Sequence, residues 1–301
     1  MNLYSIAITF CLSVVLVNCQ RVAGQTADDS SRSSRANHPL RGAGSQPAEP
    51  FRVIGNVYYV GAVAISSYVI ATDDGLILLD TGTKEMAPGI RAGIAKLGFD
   101  LQDIKIILSS HAHWDHVEGH AAMKEATDAK VMALGEDAAA ITSGVDNSAI
   151  GAAGWTPTQV DRVLEDGDTV TLGGVTIRAH LTAGHTKGCT TWTMTVQEGD
   201  QQSQVVFVGG TSINPGVRLL KNTRHPRIAE DYARTFRVLK ELRADVFLAQ
   251  HPTMYEMAEK FQRMTADSRR NPFIDPEGYQ RFVRDEERKF VAQLQDESVQ
   301  Q

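Results

Sequence analysis

The stretch Ile104-Lys105-Ile106-Ile107-Leu108-Ser109-Ser110-His111-Ala112-His113-Trp114-Asp115-His116 decides how this chain is read. Its first five residues are an apolar run of strand length, and its last six hold three imidazoles and a carboxylate. Side chains alternate along an extended backbone, so His111, His113 and Asp115 are expected on one side, with His116 opening the element that follows. One short segment then offers ligands to two adjacent metal ions. Neutral imidazole and carboxylate without thiolate suit zinc, iron or nickel, and zinc best where no redox partner is evident. The alternative is a histidine-rich polar loop. Four ligand-type side chains at this spacing, directly after a buried strand, favour the metal site.

Two more histidines stand where strands run out. His185 sits in Thr182-Ala183-Gly184-His185-Thr186-Lys187-Gly188, where the expected strand 175–181 runs into a loop, and the flanking glycines let backbone crowd an ion. His251 follows Val246-Phe247-Leu248-Ala249 and precedes Pro252. The other four are weaker candidates: His38 falls in a polar linker, His120 on a helix, His180 inside a strand and His225 in a basic loop. Each of these reads as an ordinary solvated or hydrogen-bonded histidine.

With these residues in view, the chain resembles the metallo-β-lactamase superfamily, whose motif is His-x-His-x-Asp-His plus two distant histidines. The matching segments are Ser110–His116, Gly184-His185-Thr186 and Gln250-His251-Pro252, and the resemblance runs from Phe51 to about Leu294. It is most similar to the third subclass of class B enzymes, the B3 type, on the stretches Gly55-Asn56-Val57-Tyr58-Tyr59-Val60-Gly61, Leu79-Asp80-Thr81-Gly82-Thr83, Gly209-Gly210-Thr211-Ser212-Ile213-Asn214-Pro215-Gly216 and Asn271-Pro272-Phe273-Ile274-Asp275-Pro276. Related hydrolases such as glyoxalase II carry a bridging aspartate at the end of the strand before the last histidine, and two other subclasses carry a cysteine there. Here that strand ends in Gly209-Gly210, with neither carboxylate nor thiol.

The resemblance implies one zinc on His111, His113 and His185 and a second on Asp115, His116 and His251. Three protein ligands per ion leave open positions, as in catalytic sites. It further implies hydrolysis of a β-lactam amide, in penicillins, cephalosporins and carbapenems, by a zinc-bound hydroxide, with Asp115 as both ligand and orienting partner of the nucleophile. Asp80, ending an apolar strand, is the candidate acceptor that steadies a ligand histidine, with a plain turn role before Thr81-Gly82 as the alternative. Thr211, Ser212 and Asn214 are the candidate contacts for the substrate carboxylate. Two positions depart from the family: Ile213 replaces a hydroxyl residue, and Glu118 replaces a small one and reads as a solvated first-turn helix residue.

The chain has 301 residues, of which 42% are hydrophobic, enough for one substantial core, and no interior linker divides it. A formal charge of −6 leaves no basic footprint for nucleic acid. The apolar run 6–17, followed by Asn18-Cys19-Gln20-Arg21-Val22-Ala23-Gly24, reads as a secretory signal peptide of residues 1–24, too short for a membrane span. Residues 25–50, rich in Ser, Arg, Gly and Pro, read as a disordered leader, and 51–301 as the catalytic domain. The expected product is a periplasmic monomer with no membrane insertion after cleavage. Loss of Cys11 and Cys19 would leave Cys189 without a disulfide partner, as a packed thiol at the start of a strand.

Strand patterns cover residues 51–61, 67–72, 76–80, 160–164, 169–172, 175–181, 190–196 and 204–208, with a hairpin turn at Asp73-Asp74-Gly75. Helical patterns cover 86–97, 119–126, 136–142, 229–242, 254–264 and 276–294. This order fits an α/β fold of two mixed sheets covered by helices, and the resemblance implies the four-layer αβ/βα sandwich. The glycine-rich loop 143–158, with Ile150 and Trp155, either overhangs the metal groove or is plain surface. Two other functions remain open: hydrolysis of another cyclic amide, lactone or thioester, and zinc binding without turnover.

Overall fold

The computed structural model describes residues 39–151, 154–267 and 270–300, so the signal-peptide reading of 1–24 lies outside the described residues. Two sheets form the centre. The first has seven strands in sequential order: β1 (Phe51–Ile54), β2 (Val57–Tyr59), β3 (Tyr68–Thr72), β4 (Gly75–Leu79), β5 (Ile104–Leu108), β6 (Lys130–Leu134) and β7 (Arg162–Leu164). The second runs in the order β12 (Val246–Ala249), β11 (Gln201–Val208), β10 (Thr190–Glu198), β9 (Val175–Leu181) and β8 (Thr169–Leu172).

Alternation within single strands explains the layers. In β4, Ile77 and Leu79 face the core shared with the second sheet, whereas Leu76 and Leu78 join a separate core under the helices Ala87–Lys96, His120–Thr127 and Gly135–Ser143. A strand buried on both faces needs a continuous apolar run, such as Leu76 to Leu79 in β4 and Ile106 to Leu108 in β5. β4 to β7 are parallel, and their connections are helical or cross over, as parallel neighbours require. On the far side, Ile228–Glu241 and Pro276–Val299 cover the second sheet with Tyr232, Phe236, Leu239, Tyr279, Val283 and Phe290. The result is the expected four-layer sandwich, and its parallel strands β4, β5 and β12 end at one edge, where chain reversals leave side chains free to converge.

The structure revises several expectations. The single strand expected over 51–61 is two antiparallel strands, because Gly55 takes φ +50° and turns the chain back. The helix expected over 254–264 is a 3₁₀ turn, Pro252–Tyr255, and a helix, Met257–Ala266, separated by Glu256 at φ +55°. The end of the supposed disordered leader is ordered: Pro39–Gly44 is helical, Pro47 pairs with Ala62, and the Ala48 amide donates to Gly61 at 3.1 Å. Backbone pairing to β-loop residues fixes this segment, so its lack of large apolar side chains was no guide.

Candidate metal centre

β5 delivers its cargo to the sheet edge, and the second sheet holds it there. Trp192 Nε1 donates to the Ser109 carbonyl at 3.0 Å, and the Thr190 amide donates to the Ser110 carbonyl at 2.8 Å. The strand ends at Leu108, the His113 amide donates back to the His111 carbonyl at 3.1 Å in a tight turn, and a one-turn helix, Trp114–Val117, follows. The extended alternation of His111, His113 and Asp115 that the sequence suggested is therefore absent, and Asp115 is not on a strand. It rises instead from the helical turn beside His116.

His111, His113 and His185 form a near-equilateral triangle, with ring centroids 4.8, 4.7 and 4.6 Å apart. Their ligand atoms make one compact group, and His111, Asp115 and His116 make a second. His111 thus belongs to both. His251 flanks the second group, its Nε2 3.7 Å from Asp115 Oδ2 and its ring 5.1 Å from that of His116. Strand ends bring together all six residues that the sequence nominated as ligands.

Each of the five imidazoles has one nitrogen engaged by the protein. His111 Nδ1 lies 3.1 Å from Ser110 Oγ, His113 Nε2 lies 3.1 Å from Ser148 Oγ, and His116 Nδ1 lies 3.1 Å from Asp80 Oδ2. His185 Nδ1 and His251 Nδ1 donate to the carbonyls of Ser212 and Ala64, at 2.6 and 2.9 Å. Fixing one nitrogen orients the ring and leaves the other for an ion. His111 Nε2 is buried with no hydrogen-bond partner, an arrangement that is costly unless something binds there. The donor set and this orphaned nitrogen fit a metal pair.

Electrostatics agree with that fit. Burial pushes the His113 and His185 imidazoles down to about 4 and 3, and burial with the surrounding histidines holds His111 well below its usual range. All three are neutral at pH 7, ready to coordinate. Burial opposes charge on His116 too, but Asp115 and Asp80 outweigh it and raise the imidazole to about 10. The Asp115 carboxyl is correspondingly held well below the usual carboxylate range, where His116 outweighs its burial. An ion taking His116 Nε2 displaces a proton, so uptake weakens as pH falls.

Asp80, at φ +60°, accepts from the Ser110 amide at 2.7 Å and the Ser110 hydroxyl at 2.6 Å as well as meeting His116. It is therefore more than a turn residue. The Gly-Gly end of β11 has an equally physical cause. A Cβ on Gly210 would stand 2.3 Å from His185 Cδ2, and one on Gly209 would stand 2.7 Å from Cys189 Sγ. The backbone must be bare for His185 to lie against it. Cys189 itself is buried, takes the Gly210 amide at 3.0 Å and has its thiol pushed well up by burial.

Other expectations sort cleanly. His120 is sandwiched between Thr81 Oγ1 and Ser109 Oγ at 2.7 and 2.8 Å, His180 meets Thr193, and His225 meets Asp231; His38 lies outside the described residues. Glu118 is not solvated: it is 7% exposed and accepts from the Lys84 amide at 3.3 Å, because the helix before it is only one turn long and aims it inward. Thr211 is buried with its hydroxyl donating to Glu286 at 3.2 Å, while Ser212 and Asn214 are half-buried. In the 143–158 loop Trp155 joins the core, Ile150 is exposed, and Ser148 reaches His113.

Two supporting residues escaped the sequence reading. One is Ser148, and the other is Asp137. Asp137 is 1% exposed and accepts from the Ala112 amide at 2.8 Å, the Thr186 hydroxyl at 2.6 Å and the Gly188 amide at 2.7 Å. It ties the His111–His113 segment to the loop that carries His185, and burial pushes its carboxyl up to about 6. Nothing local marks it, since its partners are 25 to 51 residues away. Asp137→Ala leaves three buried donors unpaired, at about 1–3 kcal/mol each, so chemical denaturation should show a loss of several kcal/mol. Asp137→Asn, which retains an acceptor oxygen, should lose less; equal stability of wild type and Asp137→Ala would refute the clamp.

The family profile of the metallo-beta-lactamase superfamily matches residues 60–251, and the chain belongs to that superfamily. Among solved structures, native FEZ-1 metallo-beta-lactamase from Legionella gormanii is 40% identical, with TM-score 0.82 over 84% of this chain and 98% of that one. BJP-1, a subclass B3 metallo-beta-lactamase of Bradyrhizobium japonicum, is 37% identical, with TM-score 0.81 over 86% and 98%. The class B3 di-zinc enzyme LRA-12 from an Alaskan soil metagenome is 31% identical, with TM-score 0.79 over 84% and 96%. A curated hydroxyacylglutathione hydrolase of Rhodopseudomonas palustris is 33% identical over 119 residues, 40% of this chain and 39% of that protein. A probable metallo-hydrolase of Burkholderia pseudomallei is 32% identical over 128 residues, 41% and 42% of the two chains. The match thus spans about four-tenths of the length of these curated relatives.

Proposed function

We propose that this protein is a di-zinc β-lactamase that opens the β-lactam amide of penicillins, cephalosporins and carbapenems. The observation that carries the reading is the pair of adjacent ligand groups beside a strand end, Gly209-Gly210, that bears neither carboxylate nor thiol. Likeness to subclass B3 enzymes over more than four-fifths of the chain supports it. His111, His113 and His185 would hold one ion, and Asp115, His116 and His251 the other. When bound, the ions supply polarisation of the scissile carbonyl and a water acidic enough to attack at neutral pH.

The chain's own residues do the positioning. Asp115, between His116 and His251, orients the attacking water through its carboxylate, so no serine nucleophile is needed. Asp80, Ser110, Ser148 and the carbonyls of Ser212 and Ala64 hold the five rings in the required tautomers. Ser212 and Asn214, half-buried beside His185, are the proposed contacts for the substrate carboxylate; Thr211, its hydroxyl committed to Glu286, enters the same wall as a support.

Hydrolysis of a chromogenic cephalosporin and a carbapenem, measured with and without a chelator and with zinc content on the same sample, tests this. Chelator-sensitive turnover with about two zincs per chain is expected. Two zincs without β-lactam turnover would overturn the substrate. In that case the likeness to hydroxyacylglutathione hydrolase favours a thioester, so a glutathione thioester belongs in the same assay. Export to the periplasm as a monomer is part of the proposal. No helix among the described residues is long and apolar enough to cross a membrane, and the mass of the mature protein would report cleavage after Gly24.

A further inference from the structure

The segment 211–220 leaves β11, passes His185 at Ser212 and meets the C-terminal helix Pro276–Val299 at both ends, through Thr211 and through Val217 to Leu220. Glu286 accepts from the Thr211 hydroxyl at 3.2 Å. Gln293 donates to the Val217 carbonyl at 2.9 Å and to Glu297 Oε1 at 2.9 Å. Glu297, only 8% exposed, takes the amides of both Leu219, at 2.9 and 3.0 Å, and Leu220, at 2.9 Å. The spacings of seven and four residues put these three side chains on one face of the helix. That face is polar in the middle of a helix whose other buried positions are Tyr279, Val283 and Phe290.

The segment has no regular structure to satisfy its own amides, so Glu297 is the partner for two of them. At its other end, Ser212 is the residue whose carbonyl takes both His185 Nδ1, at 2.6 Å, and the Tyr232 hydroxyl, at 2.7 Å. The helix therefore grips the segment on both sides of Ser212–Asn214. Salt links brace the grip: Lys289 pairs with Glu286 at 2.6 Å, and Arg218 approaches Glu297 at 3.9 Å.

We propose that Glu286, Gln293 and Glu297 are positioning residues of the C-terminal helix that set the shape of the substrate-side wall of the metal centre, and with it selectivity among substrates. The inference rests on the β-lactamase reading for its kinetic readout only. None of the three touches the metal ligands; they act through the segment they hold. Loss of Glu297 frees the amides of Leu219 and Leu220 and loosens the stretch that follows Asn214, while Thr211 and Ser212 stay anchored near His185. Substrate fit then degrades more than the metal chemistry does.

The test compares wild type, Glu297→Ala and Glu297→Gln in the full-length, zinc-loaded protein. Amide hydrogen exchange at Leu219 and Leu220 is measured beside zinc content and steady-state kinetics on a cephalosporin and a carbapenem. Glu297→Ala should speed exchange at both amides by about tenfold or more, the loss of one strong hydrogen bond at each. KM should rise by about tenfold and unequally for the two substrates, with kcat and zinc content within about twofold of wild type. Glu297→Gln, whose amide oxygen still accepts, should recover most of both effects. Unchanged exchange at Leu219 and Leu220 would overturn the clamp, and so would equal losses of kcat for the two substrates with KM constant. Wild-type protein inactive on β-lactams would sink the proposed function but leave the exchange result to judge the clamp alone.

Discussion

His111→Ala is expected to abolish metal binding by the His111-His113-His185 group. His111 is the side chain the two groups share, its ring 4.8, 4.7 and 4.2 Å from those of His113, His185 and His116. Its Nε2 is buried without a hydrogen-bond partner, so no hydrogen bond of the folded protein competes for it. Loss of a supporting partner alone costs about 10–100-fold in metal affinity, and loss of the ligand itself should exceed the upper end of that range. Hydrolysis should fall by more than about a hundredfold at micromolar zinc. His251→Ala, at the rim of the second group, should spare the His111-His113-His185 ion. Zinc titration of the two variants decides: wild-type zinc stoichiometry and affinity in His111→Ala would contradict its role as a ligand.

The second large effect is at Asp80. Asp80→Ala removes at one stroke the acceptor of the Ser110 amide, the Ser110 hydroxyl and His116 Nδ1, all in a site that is 2% exposed. Three unpaired buried donors at about 1–3 kcal/mol each imply a stability loss of several kcal/mol, and affinity for the second ion should drop by about 10–100-fold. The pH dependence should shift as well. Asp80 is one of the two carboxylates that hold the His116 imidazole up at about 10, so without it His116 surrenders its proton at lower pH. Apo Asp80→Ala should therefore release less than the wild-type complement of protons on zinc uptake at pH 8. A variant with wild-type melting temperature and zinc affinity would show that Asp80 serves only the turn.

The two predictions differ in how visible their basis was beforehand. His111 was legible as a ligand because ligand chemistry is a property of side-chain type and spacing, and the apolar run before it places it at a strand end. That its ring lies within reach of both groups was not legible, because spacing along the chain does not give the distances between rings. Asp80 was legible as a strand-end carboxylate, but its three partners were not, since Ser110 and His116 are 30 and 36 residues away. Asp137 and Ser148 were invisible for the same reason. A short loop serine carries no pattern that says it will meet an imidazole 35 residues earlier.

By itself the sequence determined the kinds of atom available to an ion, the buried parallel strands that end beside it, and the two-sheet layering. These follow from side-chain chemistry and from hydrophobic periodicity, which are local. Only the tertiary structure decided which nitrogen of each histidine faces the centre, how the chain turns after Leu108 to bring Asp115 up from a helical turn, and why Gly210 must be bare. It also decided that residues 39–50 join the fold and that Glu118 turns inward. Each of these rests on a hydrogen bond or steric contact between segments far apart in the chain, and such contacts exist only once the two sheets and their helices have packed.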